Sequence, residues 1–171
     1  DGGEGTVEAL VQGMNGEEKV ISVTGPINEK VNATYGILKE TNTAIIEMAQ
    51  ASGLPLVPSE LRNPLNTTTY GVGEIIKEAI EKGCRNFIVG IGGSATNDCG
   101  VGMLQALGFE FYDENDNLVG LGGKVLKQIK RIKTDNKLKE LDECNFKIAC
   151  DVNNPLYGEN GAAYIYGPQK G

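Results

Sequence analysis

Length, composition and charge set the first limits on this chain. It has 171 residues, 40% of them hydrophobic, a formal net charge of -7 and no histidine. A chain of this length can bury a substantial core, which predicts a globular protein. The negative charge argues against nucleic acid and anionic membranes as partners, because both are polyanions. Without histidine, Ser-His and Cys-His catalysis are excluded, so acid–base chemistry falls to carboxylates, lysine or tyrosine.

The cysteines and the chain ends give further expectations. Cys84, Cys99, Cys144 and Cys150 are widely spaced without a C-x-x-C pair, so buried free thiols are expected rather than a zinc site or redox motif. The sequence contains neither an apolar run that could span a bilayer nor a signal-peptide pattern, which favours a cytoplasmic protein. Because it opens on Asp1 instead of methionine and stops within a polar motif, we expect a fragment of a longer chain.

The first part of the chain combines a glycine-rich loop, a helix and short strands. The sequence DGGEGT precedes apolar residues at helical spacing, which predicts a loop and then a helix with Thr6 as its N-cap. From residue 19 to residue 48, short β-rich runs separated by turn residues predict an antiparallel meander. Glu47 is interpreted as a solvated residue at the end of this meander.

Three threonines precede an amphipathic helix. Thr67, Thr68 and Thr69 follow a connection with several prolines and are interpreted as helix-capping rather than catalytic residues. The helix carries apolar residues at helical spacing from Val72 onwards and ends at Gly83, a typical C-terminal glycine.

Residues 86–104, NFIVGIGGSATNDCGVGML, are the most informative part of the chain. An apolar strand runs into a glycine-rich turn with Ser94, Thr96, Asn97 and Asp98, and then into a helix. Such a loop lies at the carboxyl end of a strand, where open α/β sheets bind their ligands. Its backbone N–H groups and its carboxylate therefore predict a site for a small anionic ligand.

Later elements continue the α/β pattern. A short strand is predicted at residues 109–112 and another at residues 146–150, which leads to Asp151 and an Asn-Asn-Pro turn. Residues 124–133 interleave lysine and arginine with apolar residues and are interpreted as a solvated helix face.

Together these elements predict a three-layer α/β/α fold. Its sheet is expected to be mostly parallel and Rossmann-like, with an antiparallel or mixed portion near the N-terminus. The expected division places the mixed portion in residues 1–60 and the α/β portion in residues 61–171. A single sheet containing both portions is the alternative.

Three loops, DGGEGT, GGSATNDCG and CDVNNP, each join glycine or a turn residue to an aspartate, and convergence at one cleft is the simplest interpretation. Phosphoryl transfer needs donors for phosphate oxygens, a carboxylate for Mg²⁺, a base and a cation. The chain can supply these from the N–H groups of Gly92, Gly93 and Ser94, from Asp98 and Asp151, and from Lys170.

Each of these residues also has a purely structural interpretation. Glycines after a strand also allow tight helix–sheet packing. Asp98 can cap the following helix, Asp151 can begin the Asn-Asn-Pro turn, and Lys170 can be a surface lysine. A P-loop is excluded, because the Gly-Lys-Ser/Thr ending is missing.

Several motifs occur in one order along the chain. They are DGGEGT at Asp1, NPLNTTTYG at Asn63, FIVGIGGSATNDCGVGML at Phe87, CDVNNPLYG at Cys150 and GPQKG at Gly167. Over essentially the whole chain they resemble the glycerate kinase family of glyoxylate and glucarate degradation. One departure is Cys99, where that family usually has a second glycine after Asp98.

The resemblance implies an ATP- and Mg²⁺-dependent kinase that converts D-glycerate into 2- or 3-phosphoglycerate, with its site between two unlike α/β domains. It implies that this chain is a central fragment whose partners are D-glycerate, the nucleotide and the rest of a longer chain. The implied catalytic residues are Asp98, Asp151 and Lys170, and both aspartates are also implied as Mg²⁺ ligands. The residues implied in substrate or phosphate binding are Asp1, Gly2, Gly3, Thr6, Gly92, Gly93, Ser94, Thr96, Asn97 and Asn154.

Two other classes of protein fit the same loops. One is a non-catalytic domain that binds a small organic acid or a nucleotide. The other is a protein in which the glycines serve only packing. Saturable binding without ADP formation would favour the first, and failure to bind any phosphate or hydroxy acid would favour the second.

Overall fold

The computed structural model describes Gly3 and residues 5–171. The strands in this part of the chain are β1 (Glu17–Thr24), β2 (Lys30–Leu38), β3 (Thr43–Glu47), β4 (Asn86–Gly90), β5 (Glu110–Tyr112), β6 (Arg131–Lys133) and β7 (Asn145–Ala149). The α-helices are α1 (Thr6–Gly13), α2 (Ala49–Ser52), α3 (Tyr70–Glu81), α4 (Val101–Ala106) and α5 (Ala162–Tyr166). Short 3-10 helices connect several of these elements.

One mixed sheet organises the fold. Its strand order is β1-β2-β3-β4-β7, in which β1, β2 and β3 pair antiparallel and β3, β4 and β7 pair parallel. The expected α/β fold class is confirmed, with the antiparallel meander and the parallel strands in a single sheet. That sheet runs across residue 60, which lies between β3 and β4, and the division of the chain at this point stays a prediction.

Helices cover both faces of the sheet, which gives the three layers. Neighbouring residues of a strand face opposite sides. In β3, Ile45 packs with Val7 and Val11 of α1, whereas Ile46 packs into the larger core against α3. That core also contains Tyr35 of β2 and is closed by apolar residues of α3, namely Val72, Ile75, Ile76, Ala79 and Ile80.

The end of α3 follows the predicted pattern. Gly83 has a φ of +91°, a left-handed conformation that glycine adopts without steric cost. Its N–H donates to the carbonyl of Ile80 at 2.9 Å, and the N–H of Cys84 donates to the carbonyl of Ala79 at 2.9 Å. These two bonds form a Schellman motif and confirm Gly83 as the residue that terminates the helix.

The basic stretch at residues 124–133 differs from its predicted form. A 3-10 helix covers Gly123–Gln128, and Arg131–Lys133 form strand β6, which pairs antiparallel with β5. The guanidinium of Arg131 lies 4.2 Å from the ring centroid of Tyr112 and pairs with Asp116. The helical interpretation was therefore wrong, because pairing with β5 outweighs the local periodicity.

Two expectations near the N-terminus were also wrong. Thr6 is the first residue of α1, after Gly5 at a φ of +89°, and its hydroxyl donates to the carbonyl of Gly3 at 2.8 Å instead of capping the helix. Glu47 is only 2% exposed, and its carboxylate accepts a bond of 2.8 Å from the N–H of Val7. An unpaired N–H in the first turn of α1 thus finds its acceptor in the sheet.

All four cysteines are free thiols, but they differ in exposure. Cys84 is buried, Cys144 is partly buried, and Cys99 and Cys150 are exposed, so the expectation of buried thiols holds only for the first. Over the described residues, the helices are too short or too polar for any of them to cross a membrane.

Candidate functional site

A cavity of about 1180 Å³ lies at the carboxyl ends of the parallel strands. Its wall includes Met48 after β3, the residues that follow β4, the segment that follows β7, and Lys170. Residues 91–100, between β4 and α4, are called the glycine-rich loop below. The cavity therefore occupies the edge of the sheet at which open α/β proteins bind ligands, as the sequence predicts.

The backbone of the glycine-rich loop is held on one side by the end of α2. The carbonyl of Gly93 accepts a bond of 2.9 Å from the N–H of Leu54, and the N–H of Ala95 donates to the carbonyl of Ser52 at 2.8 Å. Within the described part of the chain, the N–H groups of Gly92, Gly93 and Ser94 have no hydrogen-bond partner. Gly93 has a φ of +70°, and consecutive N–H groups in such loops form concave anion sites.

Two polar side chains of the same loop are also available to a ligand. Thr96 and Asn97 line the cavity. Neither side chain makes a hydrogen bond with any described residue. Both were predicted to bind phosphate or a carboxylate, and their position fits that expectation.

Lys170 supplies a buried cation next to the loop. It is 6% exposed, and its ammonium group donates to both the carbonyl and the hydroxyl oxygen of Ser94. Burial lowers its pKa, because the charged form loses hydration. Among the described residues, no carboxylate lies within ion-pair distance of this ammonium group. The alternative of a surface lysine was wrong.

Asp98 is buried, and both of its carboxylate oxygens accept hydrogen bonds. Only 1% of the residue is exposed, and its carboxylate accepts hydrogen bonds from the N–H groups of Thr69 at 2.9 Å, Gly100 at 3.1 Å and Gly102 at 3.3 Å. The hydroxyl of Thr69 adds a further contact, 2.9 Å from Oδ2. The predicted capping role thus describes part of what Asp98 does, because two of these donors belong to the start of α4 and its preceding residue.

Asp151 is the opposite case. It is exposed and lines the cavity after β7. Its carboxylate makes no hydrogen bond or ion pair with the described residues, so it does not begin the predicted turn through its side chain. Among the described residues, the cavity wall has one further carboxylate besides Asp98, that of Asp142, which pairs with Lys137. Within the described part of the chain, Asp151 is therefore the free carboxylate of this wall.

The predicted Mg²⁺ site can be tested against these contacts. Mg²⁺ is typically bound by one or two carboxylates together with phosphate oxygens and water. Asp98 does not fit this role, because donors already surround both of its oxygens. Asp151 fits it, because its oxygens are free. In the described residues, no cluster of three or more acidic or thiol side chains forms a preassembled metal site.

Asn154 has a structural task in the segment that follows β7. Its amide donates to the carbonyl of Asn160 at 3.1 Å and accepts a bond of 2.6 Å from the hydroxyl of Tyr166. These bonds close the segment between β7 and α5. Asn154 lines the cavity, although both ends of its amide are already engaged.

The structure brings most of the predicted residues to one cavity. Those in its wall are Gly92, Gly93, Ser94, Thr96, Asn97, Asp98, Asp151, Asn154 and Lys170. Gly3 and Thr6 do not line it, and the hydroxyl of Thr6 instead donates to the carbonyl of Gly3 at the start of α1. Asp1 and Gly2 lie outside the described residues.

Sequence reasoning missed the roles of two threonines that support the site and one strained position. Thr67 and Thr69 bond to the glycine-rich loop rather than capping α3. The hydroxyl of Thr68 accepts a bond of 3.2 Å from the N–H of Tyr70, the first residue of α3, so the capping prediction describes this threonine alone. The run of three threonines was visible as a signal, but its partner was not. Cys99 has a φ of +51°, a left-handed conformation that glycine adopts at lower steric cost than cysteine.

Comparisons with known proteins show the family of this chain. The profile of the glycerate kinase family matches residues 1–171. The Glycerate 2-kinase of Escherichia coli (strain K12) is 54% identical over 171 residues, which are 100% of this chain and 45% of that protein. The Glycerate kinase of Halalkalibacterium halodurans is 51% identical over the same length, again 45% of that protein.

A solved structure is similar over the same region. A crystal structure described as a glycerate kinase 2 from Salmonella typhimurium LT2 superposes with a TM-score of 0.96 and 48% identity, covering 99% of this chain and 46% of that one. The chain thus spans less than half the length of the relatives it matches. It belongs to the glycerate kinase family.

Proposed function

We propose that this chain forms the ligand-binding part of a kinase that transfers a phosphoryl group from ATP to D-glycerate, with Mg²⁺ as cofactor. Relatives named glycerate kinase support the reaction and the substrate. The name Glycerate 2-kinase of the Escherichia coli relative supports the 2-hydroxyl as acceptor, which gives 2-phosphoglycerate. One observation carries the proposal: three unpaired N–H groups, of Gly92, Gly93 and Ser94, beside the buried ammonium group of Lys170.

The N–H groups and Lys170 bind negatively charged oxygens. An ammonium group has three donors, and Ser94 accepts from two of them, so one remains for a phosphate or carboxylate oxygen. Because the site is partly screened from water, these donors stabilise the charge that develops during phosphoryl transfer more strongly than they would in solution. Thr96 and Asn97 add hydrogen bonds that orient the same ligand.

The two aspartates have different proposed tasks. Asp151 is available to hold Mg²⁺ or to accept the proton of the attacking hydroxyl, because its carboxylate is free at the cavity wall. Mg²⁺, when bound, neutralises charge on the phosphate oxygens. Asp98 positions the backbone of the loop and does not contact substrate, since its oxygens are occupied.

The remaining parts of the site belong to the proposal as well. A protein of the length of the relatives would supply a second domain, with D-glycerate and the nucleotide between the two. A cytoplasmic location is also part of it, because ATP and an organic acid substrate are intracellular metabolites.

The proposal is tested by D-glycerate-dependent ADP release with Mg-ATP. The 171-residue chain is assayed beside a chimera in which it replaces the matching 171 residues of the Escherichia coli relative. We expect turnover by the chimera and only ligand binding by the isolated chain. Phosphorus and proton NMR of the product distinguish 2- from 3-phosphoglycerate.

The outcomes of this assay distinguish a kinase from a binding module and test the choice of hydroxyl and of Asp151. A chimera that binds D-glycerate saturably without forming ADP would replace the kinase with a binding module. A 3-phosphoglycerate product would keep the kinase and overturn the choice of hydroxyl. If the chimera with Asp151→Asn kept the turnover and the Mg²⁺ dependence of the unsubstituted chimera, Asp151 would have neither of its proposed roles.

A further inference from the structure

Thr67 ties the start of α3 to the glycine-rich loop. Its side chain is fully buried, and its hydroxyl donates to the carbonyl of Ala95 at 2.8 Å, across 28 residues of sequence. Thr67 does not line the cavity, so its hydroxyl cannot reach a ligand there. Ala95 directly follows Gly92, Gly93 and Ser94, the three residues with unpaired N–H groups, so a bond to its carbonyl restrains the backbone next to them.

Thr69 makes a second connection. Its hydroxyl lies 3.1 and 2.9 Å from the two oxygens of Asp98 and accepts a bond of 3.0 Å from the N–H of Met103. A hydroxyl has one hydrogen to donate, and here the carboxylate receives it. Thr69 thus joins the end of the loop to α4, and its donor is already used within the protein.

Gly102 packs closely against Asp98 and the threonine segment. A Cβ atom on Gly102 would lie 2.2 Å from the hydroxyl oxygen of Thr68 and 3.0 Å from Oδ2 of Asp98. The N–H of Thr68 in turn donates to the carbonyl of Pro26 at 3.0 Å, which anchors the threonines to the turn between β1 and β2. The threonine segment is therefore a fixed support rather than a mobile one.

We propose that Thr67 and Thr69 are positioning residues, which hold the glycine-rich loop in the conformation that leaves the N–H groups of Gly92, Gly93 and Ser94 free for an anion. This inference rests on the proposed function of that loop. On one side, the carbonyl of Ser52 at the end of α2 accepts a bond from the N–H of Ala95. On the other, the hydroxyl of Thr67 donates to the Ala95 carbonyl and that of Thr69 donates to the Asp98 carboxylate.

The physical reason is preorganisation. A loop that is already fixed does not lose conformational freedom when its ligand binds, so more of the interaction energy appears as affinity. If the carbonyl of Ala95 lost its donor, it would remain an unsatisfied buried acceptor, and the loop would rearrange to pair it. The unpaired N–H groups of Gly92, Gly93 and Ser94 would then lose their present arrangement in the cavity wall.

The experiment compares isosteric and conservative variants with a matched control. Thr67→Val and Thr69→Val remove the hydroxyl, whereas Thr67→Ser and Thr69→Ser keep it. The control is Thr43→Val, at the opposite end of β3, where a similarly buried hydroxyl lies 2.8 Å from that of Thr41. Should Thr67→Val not fold, Thr67→Cys takes its place, with the same direction of effect and a smaller size.

The decisive measurement is backbone amide hydrogen exchange by NMR on the 171-residue chain. The N–H of Ala95 donates to Ser52, so its exchange reports how often this part of the loop opens. We expect exchange at Ala95 to accelerate about tenfold in Thr67→Val, because the loss of one buried hydrogen bond makes opening easier by about this factor. The serine variants should stay near wild type. Equal acceleration at Ala95 in Thr43→Val would show that the effect comes from lower overall stability, and it would overturn the inference. Unchanged exchange in both Thr67→Val and Thr69→Val would also overturn it.

A second measurement uses inorganic phosphate as the probe. Titration should shift the amide signals of Gly92, Gly93 and Ser94 in wild type and both serine variants, with about tenfold weaker binding in the valine variants. Valine variants that bind phosphate like wild type would overturn the inference. These readouts do not depend on turnover, so a chimera without kinase activity would refute the proposed function and leave this test unaffected.

Discussion

The two walls of the cavity are built differently. In the glycine-rich loop and its supports, Asp98 is 1% exposed and Thr67 is fully buried, and the Asp98 carboxylate and the hydroxyls of Thr67 and Thr69 are hydrogen-bonded. In the segment after β7, Leu156 is 68% exposed and Tyr157 is 85% exposed, and Asp151 has no partner among the described residues. The first wall is fixed before a ligand arrives, whereas the second presents a free carboxylate on a loosely packed segment. Lys170 follows the second wall and bonds to the first through Ser94.

The largest effect should separate the two aspartates. Asp98→Asn should lower the free energy of unfolding by about 3 kcal/mol, because a neutral amide oxygen cannot accept all of the donors around it. Asp151→Asn should change the free energy of unfolding by less than about 0.5 kcal/mol, as exposed side chains usually do. Urea denaturation of the chain measures both. Equal losses would show that the two walls are equally packed.

A smaller effect should come from steric crowding in the first wall. Gly102→Ala places a methyl group 2.2 Å from the hydroxyl oxygen of Thr68 and should cost about 2 kcal/mol of stability. Leu156→Ala, in the exposed wall, should cost less than about 0.5 kcal/mol. The measurement is again urea denaturation. A tolerated alanine at residue 102 would contradict the tight packing of the first wall.

The link between the walls should show in the pH dependence of anion binding. Burial lowers the pKa of Lys170, so the ammonium group loses its charge at a lower pH than an ordinary lysine, whose pKa is about 10.4. Phosphate affinity should therefore fall as pH rises through that lowered pKa. Lys170→Met should weaken binding about tenfold near neutral pH and remove this dependence. Phosphate titrations between about pH 8 and 10.5 check it, where the dianion itself does not change charge.

The same shift has a consequence for stability. The folded-state pKa of Lys170 is lower than the unfolded one, so the unfolded chain binds the proton more tightly between the two values. The contribution of Lys170 to stability should thus rise with pH across that window. In Lys170→Met this rise should be absent. If the free energy of unfolding changed with pH in the same way in wild type and in Lys170→Met, the desolvation of the ammonium group would be contradicted.

The smallest effect concerns two exposed thiols, one on each wall. Cys99 adopts a φ of +51°, so Cys99→Gly should raise stability by about 1 kcal/mol by removing the steric cost of this conformation. Cys150 is not among the residues with positive φ, and Cys150→Gly should bring no gain. Thermal denaturation of the two variants measures the difference. A stabilising Cys150→Gly would mean that the gain does not come from φ.

Much of the first wall could be predicted from the sequence. The apolar run of β4 and the glycines behind it placed the ligand loop at the carboxyl edge of the sheet, and the periodicity of α3 with Gly83 placed its end. These features are local, because strand alternation, helical spacing and left-handed glycine act within a few residues. The basic stretch shows the limit, since the same local pattern did not reveal the pairing of β6 with β5.

The roles of several polar residues could not be predicted in this way. Glu47 accepts a bond from Val7, which is 40 residues away, and Thr69 meets Asp98 across 29 residues. A threonine before a helix and a glutamate at a strand end have the same local signature whether they are solvated or buried. Only the distance to a partner distinguishes the two cases.

The sequence by itself determined the α/β class, the positions of the main strands, the family and the loop that carries the candidate site, because these depend on residue order and short-range preferences. The tertiary structure decided which polar groups remain free. Burial and long-range hydrogen bonds engage Asp98, Thr67 and Thr69, and leave Asp151 and the N–H groups of the glycine-rich loop open to a ligand. A buried polar group must find a partner, and that partner is set by the fold.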